Sequence, residues 1–97
     1  MIDRLDHLVL TTRRLDDCVR FYVDLLGMSL ETFGAGRKAL RFGSQKINLH
    51  EAGREFEPKA HAPTPGGLDL CFIASLPLDR VIERLARSDV AIEEGPV

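Results

Sequence analysis

Two polar residues interrupt apolar segments of this chain at related places. His7 stands within Leu5-Asp-His-Leu-Val-Leu-Thr-Thr12, and Asp69 is the charged residue within Leu68-Asp-Leu-Cys-Phe-Ile73. Desolvating an imidazole and a carboxylate is unfavourable unless something neutralises them, and a shared cation would do so. His50 closes the segment Gln45-Lys-Ile-Asn-Leu-His50 and, facing inward, adds a second imidazole. Two histidines and a carboxylate suit Fe(II), Mn(II), Ni(II) or Zn(II) and leave coordination positions open. The expected metal ligands are therefore His7, His50 and Asp69. Plainer readings stand beside this one: His7 as a satisfied strand histidine, and His50 as a solvated strand end beside Glu51.

The elements around these residues set their relation. Residues 5–12 are rich in β-formers and read as a strand. Leu15, Cys18, Val19, Tyr22, Leu25 and Leu26 then fall at i, i+3, i+4 spacing, which predicts a helix over 14–26. Thr12 is its candidate N-cap, Asp16 and Asp17 suit its positive end, and Gly27 stands where a left-handed residue closes a helix. Glycine-punctuated segments follow at Met28–Phe33, Lys38–Phe42 and Gln45–His50, predicting three strands in a meander. Residues 51–66 lose periodicity and carry Pro58, Pro63 and Pro65. A further strand is predicted at Leu68–Ile73. A helix is predicted over 77–88, with Ser75 as candidate cap and an apolar stripe of Leu78, Val81, Ile82 and Leu85. Val90-Ala-Ile92 would begin another strand.

The two halves repeat. A shift of 63 positions carries Leu15, Cys18, Val19 and Tyr22 onto Leu78, Val81, Ile82 and Leu85, and a shift of 62 carries His7 onto Asp69. Such self-similarity points to a duplicated β-α-β-β-β unit whose members pair to bury their faces. The expectation is one α+β domain: a first module at 1–50, a linker loop at 51–66 and a truncated second module at 67–97. Two or three strands are missing from the second unit, so either the chain is truncated or a partner completes the sheet.

Composition narrows the class. With 97 residues, 44% apolar, 29% charged and a net charge of −2, the chain suits one globular domain. Its basic residues are scattered among acids, giving no stripe for a phosphate backbone. No apolar run approaches a membrane span. The acidic start does not resemble a signal peptide, so the expectation is a cytoplasmic protein. Cys18 and Cys71 sit in apolar segments and form no CxxC pair, so buried thiols are expected rather than a disulfide.

The segment Asp6-His-Leu-Val-Leu10, with Phe21-Tyr22 and Leu25-Leu-Gly-Met28, resembles the opening of the vicinal oxygen chelate superfamily. That superfamily includes glyoxalase I, fosfomycin-resistance proteins, methylmalonyl-CoA epimerase, extradiol dioxygenases and bleomycin-resistance proteins. Gln45-Lys-Ile-Asn-Leu-His-Glu51, Glu55-Phe-Glu-Pro-Lys59 and Leu68-Asp-Leu-Cys71 are similar to the glyoxalase domain-containing branch, which has a virulence-associated bacterial member. The resemblance implies paired βαβββ modules curled into an open, cup-shaped mixed sheet around a divalent metal. His7 matches the first-strand ligand position. Asp69 matches its counterpart in the second module, where most relatives carry histidine. Asn48 falls nearest the position of a carboxylate or amide ligand, and His50 shares its strand face. Phe56, between Glu55 and Glu57, is the favoured lid residue; Asn48 and Phe56 are the expected substrate contacts.

The implied chemistry is Lewis-acid stabilisation of charge developing on a bidentate oxygen substrate, such as an enolate, hydroxy-ketone or catechol. Lyase, isomerase and dioxygenase reactions share that step. General-base candidates are His50 and a glutamate on a later strand absent from this sequence. The resemblance also implies a homodimer. The competing reading is a non-enzymatic, bleomycin-resistance-type binding protein. An acidic, aromatic-lined cleft would suit it, whereas this chain has no Trp, one Tyr and near-neutral charge.

Overall fold

In a computed structural model, residues 1–92 are described. Four strands form one mixed sheet: β1 (Leu8–Thr12), β2 (Ser29–Phe33), β3 (Arg37–Phe42) and β4 (Gln45–Glu51). Their order is β1-β4-β3-β2. The predicted meander is present, with β2, β3 and β4 antiparallel. The strand β1 lies parallel to β4, a pairing that needs the intervening helix as its crossover.

That helix begins as α1 (Leu15–Val19) and widens without a break into a π-helical stretch over Arg20–Leu25. The expected 14–26 span is therefore present, in two geometries. Thr12 does not occupy the cap position itself; its hydroxyl accepts a hydrogen bond from the Arg14 N–H at 3.0 Å. Gly27 closes the helix at φ +81°, where the Gly27 and Met28 amides donate to the Val23 and Tyr22 carbonyls. A side chain there would meet the left-handed penalty that glycine avoids.

The strand alternation sorts the sheet into two unlike faces. One face carries Leu40, Ile47 and Leu49, which with Met28 form the buried core. Leu15, Cys18, Val19, Tyr22 and Val23 of the helix cover it, with Leu10, Phe42 and Leu70 at its margins. Leu40 and Ile47 are almost wholly buried, each contributing about 1.5–3 kcal/mol of burial free energy. The opposite face carries Val9, Thr11, Lys46, Asn48, His50, Arg37, Ala39 and Arg41, a largely polar set with three cations.

The second half departs from the sequence expectation in three respects. Residues 68–73 form no strand. Leu70 packs on the core margin and Phe72 meets Phe42 edge-on at 5.7 Å, but no ladder partner accepts their backbone. A β-pattern specifies which side chains point inward; a strand also needs a neighbour's N–H and C=O groups. The helix α2 (Leu78–Arg87) forms as expected, yet its N-cap position is Pro77 with no side-chain cap, and Ser75 plays no such part. Val90 donates its amide to Leu85 at the helix end rather than to a sheet, and 91–92 are irregular. The remainder of that expected strand lies outside the described residues. Both cysteines are free, as expected, but Cys71 is exposed rather than buried.

Candidate functional site

The polar face of the sheet holds a cavity of about 170 Å³ lined by His7, Asn48, His50, Arg37 and Phe56, among others. Parallel pairing of β1 with β4 sets Val9 beside Asn48 and Thr11 beside His50, so one face of two adjacent strands supplies the floor. His7, two residues before Val9, continues that face at the N-terminal end of β1. The loop after β4 brings Phe56 across the top, its ring edge-on to the His50 imidazole with centroids 6.2 Å apart.

Each donor has a distinct environment. His50 is 7% exposed, and its Nδ1 is buried without a hydrogen-bond partner among the described residues. Burial lowers its pKa from the ordinary imidazole value, and the charges of Arg37 and His7 push the same way, with Glu55 opposing them. A neutral ring with a lone pair available is the consequence. The Asn48 Oδ1 is likewise buried and unpartnered. Buried polar atoms are normally satisfied, so two orphans in one cavity point to a missing partner. His7 is 37% exposed at its side chain and hydrogen-bonds through Nδ1 to the Asp6 carboxylate at 2.8 Å. In a neutral ring, an Nδ1–H donating to Asp6 leaves the Nε2 lone pair free, the arrangement in which a carboxylate orients a metal-binding histidine. That hydrogen bond and the charge of His7 lower the Asp6 pKa.

Of the residues expected from the sequence, His7, Asn48, His50 and Phe56 meet in this cavity. Asp69 is exposed and is not among its lining residues. Among the described residues, no three His, Cys, Asp or Glu side chains converge on one point. Two imidazoles and an amide oxygen are what the expected residues offer a cation here, and the Glu57 carboxylate also lines the cavity.

Two contributors went unrecognised in the sequence. Asp6, to which the sequence assigned no role, is the hydrogen-bond partner of His7. Arg37 lines the cavity with its guanidinium carbon 4.7 Å from the centre of the Phe56 ring. A sequence signal exists for Asp6, which adjoins His7. For Arg37 there is none, because its position depends on the register of β3 against β4.

Comparison with known proteins places these features in context. Residues 4–97 match the family model described as the Glyoxalase/Bleomycin resistance protein/Dioxygenase superfamily. The chain is 54% identical over 97 residues to virulence protein STM3117 of Salmonella typhimurium, covering all of this chain and 67% of that one. It is 52% identical over 93 residues to glyoxalase domain-containing protein RDO1 of Mycosarcoma maydis, covering 96% of this chain and 52% of that relative. The crystal structure of STM3117 superposes with a TM-score of 0.94, over all of this chain and 77% of that one. A lactoylglutathione lyase from Agrobacterium tumefaciens, 21% identical, shares the fold at a TM-score of 0.70, over 96% of this chain and 75% of that one. The chain thus spans about half the length of one curated relative and two thirds of the other. Members of the superfamily commonly use divalent metals, bind small molecules and often form dimers. No described helix is long and apolar enough to cross a membrane.

Proposed function

The chain belongs to the glyoxalase/bleomycin resistance/dioxygenase superfamily, and from that premise we propose that it is a metal-dependent enzyme module acting on a small molecule with two neighbouring oxygens. The carrying observation is the pair of orphaned acceptors, Asn48 Oδ1 and His50 Nδ1, in the cavity that also holds His7. A divalent ion would be held by His7 and His50, with Asn48 as an oxygen donor. Fe(II), Mn(II), Ni(II) and Zn(II) all accept such a set. When bound, the ion supplies Lewis acidity toward charge developing on the substrate oxygens.

The residues around it have separate tasks. Asp6 holds the His7 ring in one tautomer and orientation. The hydrophobic setting of His50 keeps its ring neutral and able to donate. Phe56 roofs the cavity and limits water. Residues 1–50 constitute one module, 51–66 a loop and 67–97 the start of a second. Asp69 joins the ligand set from a second copy of the chain in a homodimer, because within one chain it lies outside the cavity. The reaction class is lyase, isomerase or dioxygenase.

The test is elemental mass spectrometry on protein purified without chelator, alongside His7→Ala. Stoichiometric transition metal in the wild type and its loss in the variant are expected. Unchanged metal content in His7→Ala defeats the ligand assignment. A metal-free wild type that binds a bulky cationic drug would establish the binding-protein reading instead.

A further inference from the structure

The polar face of the sheet carries three cations, and among the described residues one of them, Arg41, is neutralised by a partner. Arg41 is paired with Glu31, its Nε 2.6 Å from one carboxylate oxygen and its second nitrogen 3.3 Å from the other. Lys46 extends over the Phe33 ring at 5.3 Å and is not itself among the residues lining the cavity. Arg37 is different. It is half-buried, it lines the same cavity as His7, Asn48 and His50, and no ion pair or side-chain hydrogen bond engages it among the described residues. Glu57 also lines the cavity and still forms no ion pair with it.

Phe56 holds Arg37 in place. The guanidinium carbon stands 4.7 Å from the ring centre while the same ring meets His50 edge-on. Stacking fixes the plane of a group whose donors form a rigid fork matched to two oxygens. A half-desolvated cation oriented by an aromatic ring, beside unpartnered acceptors, lacks a counter-charge. Arg37 and a bound divalent ion would both draw a negatively charged group into the cavity.

We propose that the cavity selects a substrate bearing a carboxylate, with Arg37 as the residue that receives it. The inference rests on the oxygen-chelating reading above and narrows it: an α-hydroxy or α-oxo acid fits, whereas a neutral hydroxy-ketone or catechol leaves Arg37 unpaired. Arg37 is thus a specificity residue that touches substrate, and Phe56 is its positioning residue.

Glycolate and hydroxyacetone separate the possibilities, because both present vicinal oxygens and only glycolate carries a carboxylate. The zinc-loaded protein is titrated with each by calorimetry, for the wild type, Arg37→Gln and Arg37→Lys. Losing a charge-assisted hydrogen-bonded pair should weaken glycolate binding about tenfold or more in Arg37→Gln. Hydroxyacetone binding should stay within about twofold. Zinc content should be unchanged, and Arg37→Lys should fall between the wild type and Arg37→Gln. The Arg37 Nε–H resonance should shift on glycolate addition in the wild type. If Arg37→Gln fails to fold, Arg37→Lys and this resonance decide the matter. Equal effects on the two probes, or no effect on either, overturn the carboxylate assignment and leave the oxygen-chelating reading standing. A wild type that binds neither probe overturns both.

Discussion

A buried imidazole nitrogen with no partner is an energetic liability, and His50 accepts it within a β-strand whose neighbours Leu49 and Ile47 are core residues. An unsatisfied buried polar group costs about 1–3 kcal/mol, while an apolar replacement of similar shape can be neutral or better. His50→Leu is therefore expected to leave stability unchanged or raised by up to about 1 kcal/mol in urea denaturation, while abolishing metal binding. Strong destabilisation with metal content intact would show that the ring serves folding instead. Asp6→Asn probes the neighbouring donor. It removes the charge that orients His7, and outer-shell losses of this kind typically lower metal affinity by about 10–100-fold. Isothermal titration with Zn(II) reads that change, and an unaltered affinity would leave Asp6 a surface charge. His7 and His50 were legible in the sequence because a polar residue in an apolar run is anomalous on its own. Arg37 was not, since a cation in a half-exposed strand is ordinary until register sets it beside Asn48 and His50.

At the scale of elements, the polar face of the sheet coheres partly through the Glu31–Arg41 pair on the diagonal between β2 and β3. The hydrogen bond and charge of Arg41 lower the Glu31 pKa in the folded state. A carboxylate so depressed stabilises the fold above its unfolded pKa, and that contribution disappears as pH falls through the folded value. Both side chains are 41% exposed, so screening keeps the effect small. Glu31→Gln is expected to lower the melting temperature slightly at neutral pH, with the difference from wild type vanishing in acid. A difference that persists unchanged into acid would argue against the pair. Gly27→Ala should cost about 1–2 kcal/mol, because φ +81° must be kept and open space around it offers no compensation. The helix, its glycine stop and the three-strand meander were readable from spacing alone. The parallel β1–β4 pairing was not specified by periodicity, because it depends on where the crossover helix lays β1 against the meander. Leu68–Ile73 misled because its composition satisfies strand propensity while no described segment offers it a ladder.

For the molecule as a whole, the exposed surfaces converge on one arrangement. The strand β1 is an edge of the sheet, and Phe72, Ile73, Leu76 and Leu78 are exposed near the second helix. An uncovered edge beside exposed apolar side chains favours pairing with another chain. Asp69 is repeat-related to His7 and stands exposed outside the cavity, so on the proposed reading it reaches a site only in a partner copy. A symmetric dimer would then contain two sites, each combining His7 and His50 from one copy with Asp69 from the other. Mixing two inactive variants tests this directly. His7→Ala alone and Asp69→Ala alone should each bind little metal. After joint refolding, a heterodimer of the two contains one site lacking both residues and one site fully intact. Statistical mixing makes about half of the dimers heterodimers, so about a quarter of all sites should recover metal. If all ligands came from a single chain, every site would lack one of them and mixing would restore none. Light scattering showing a stable monomer at micromolar concentration, or mixed protein without recovered metal, would exclude the shared site.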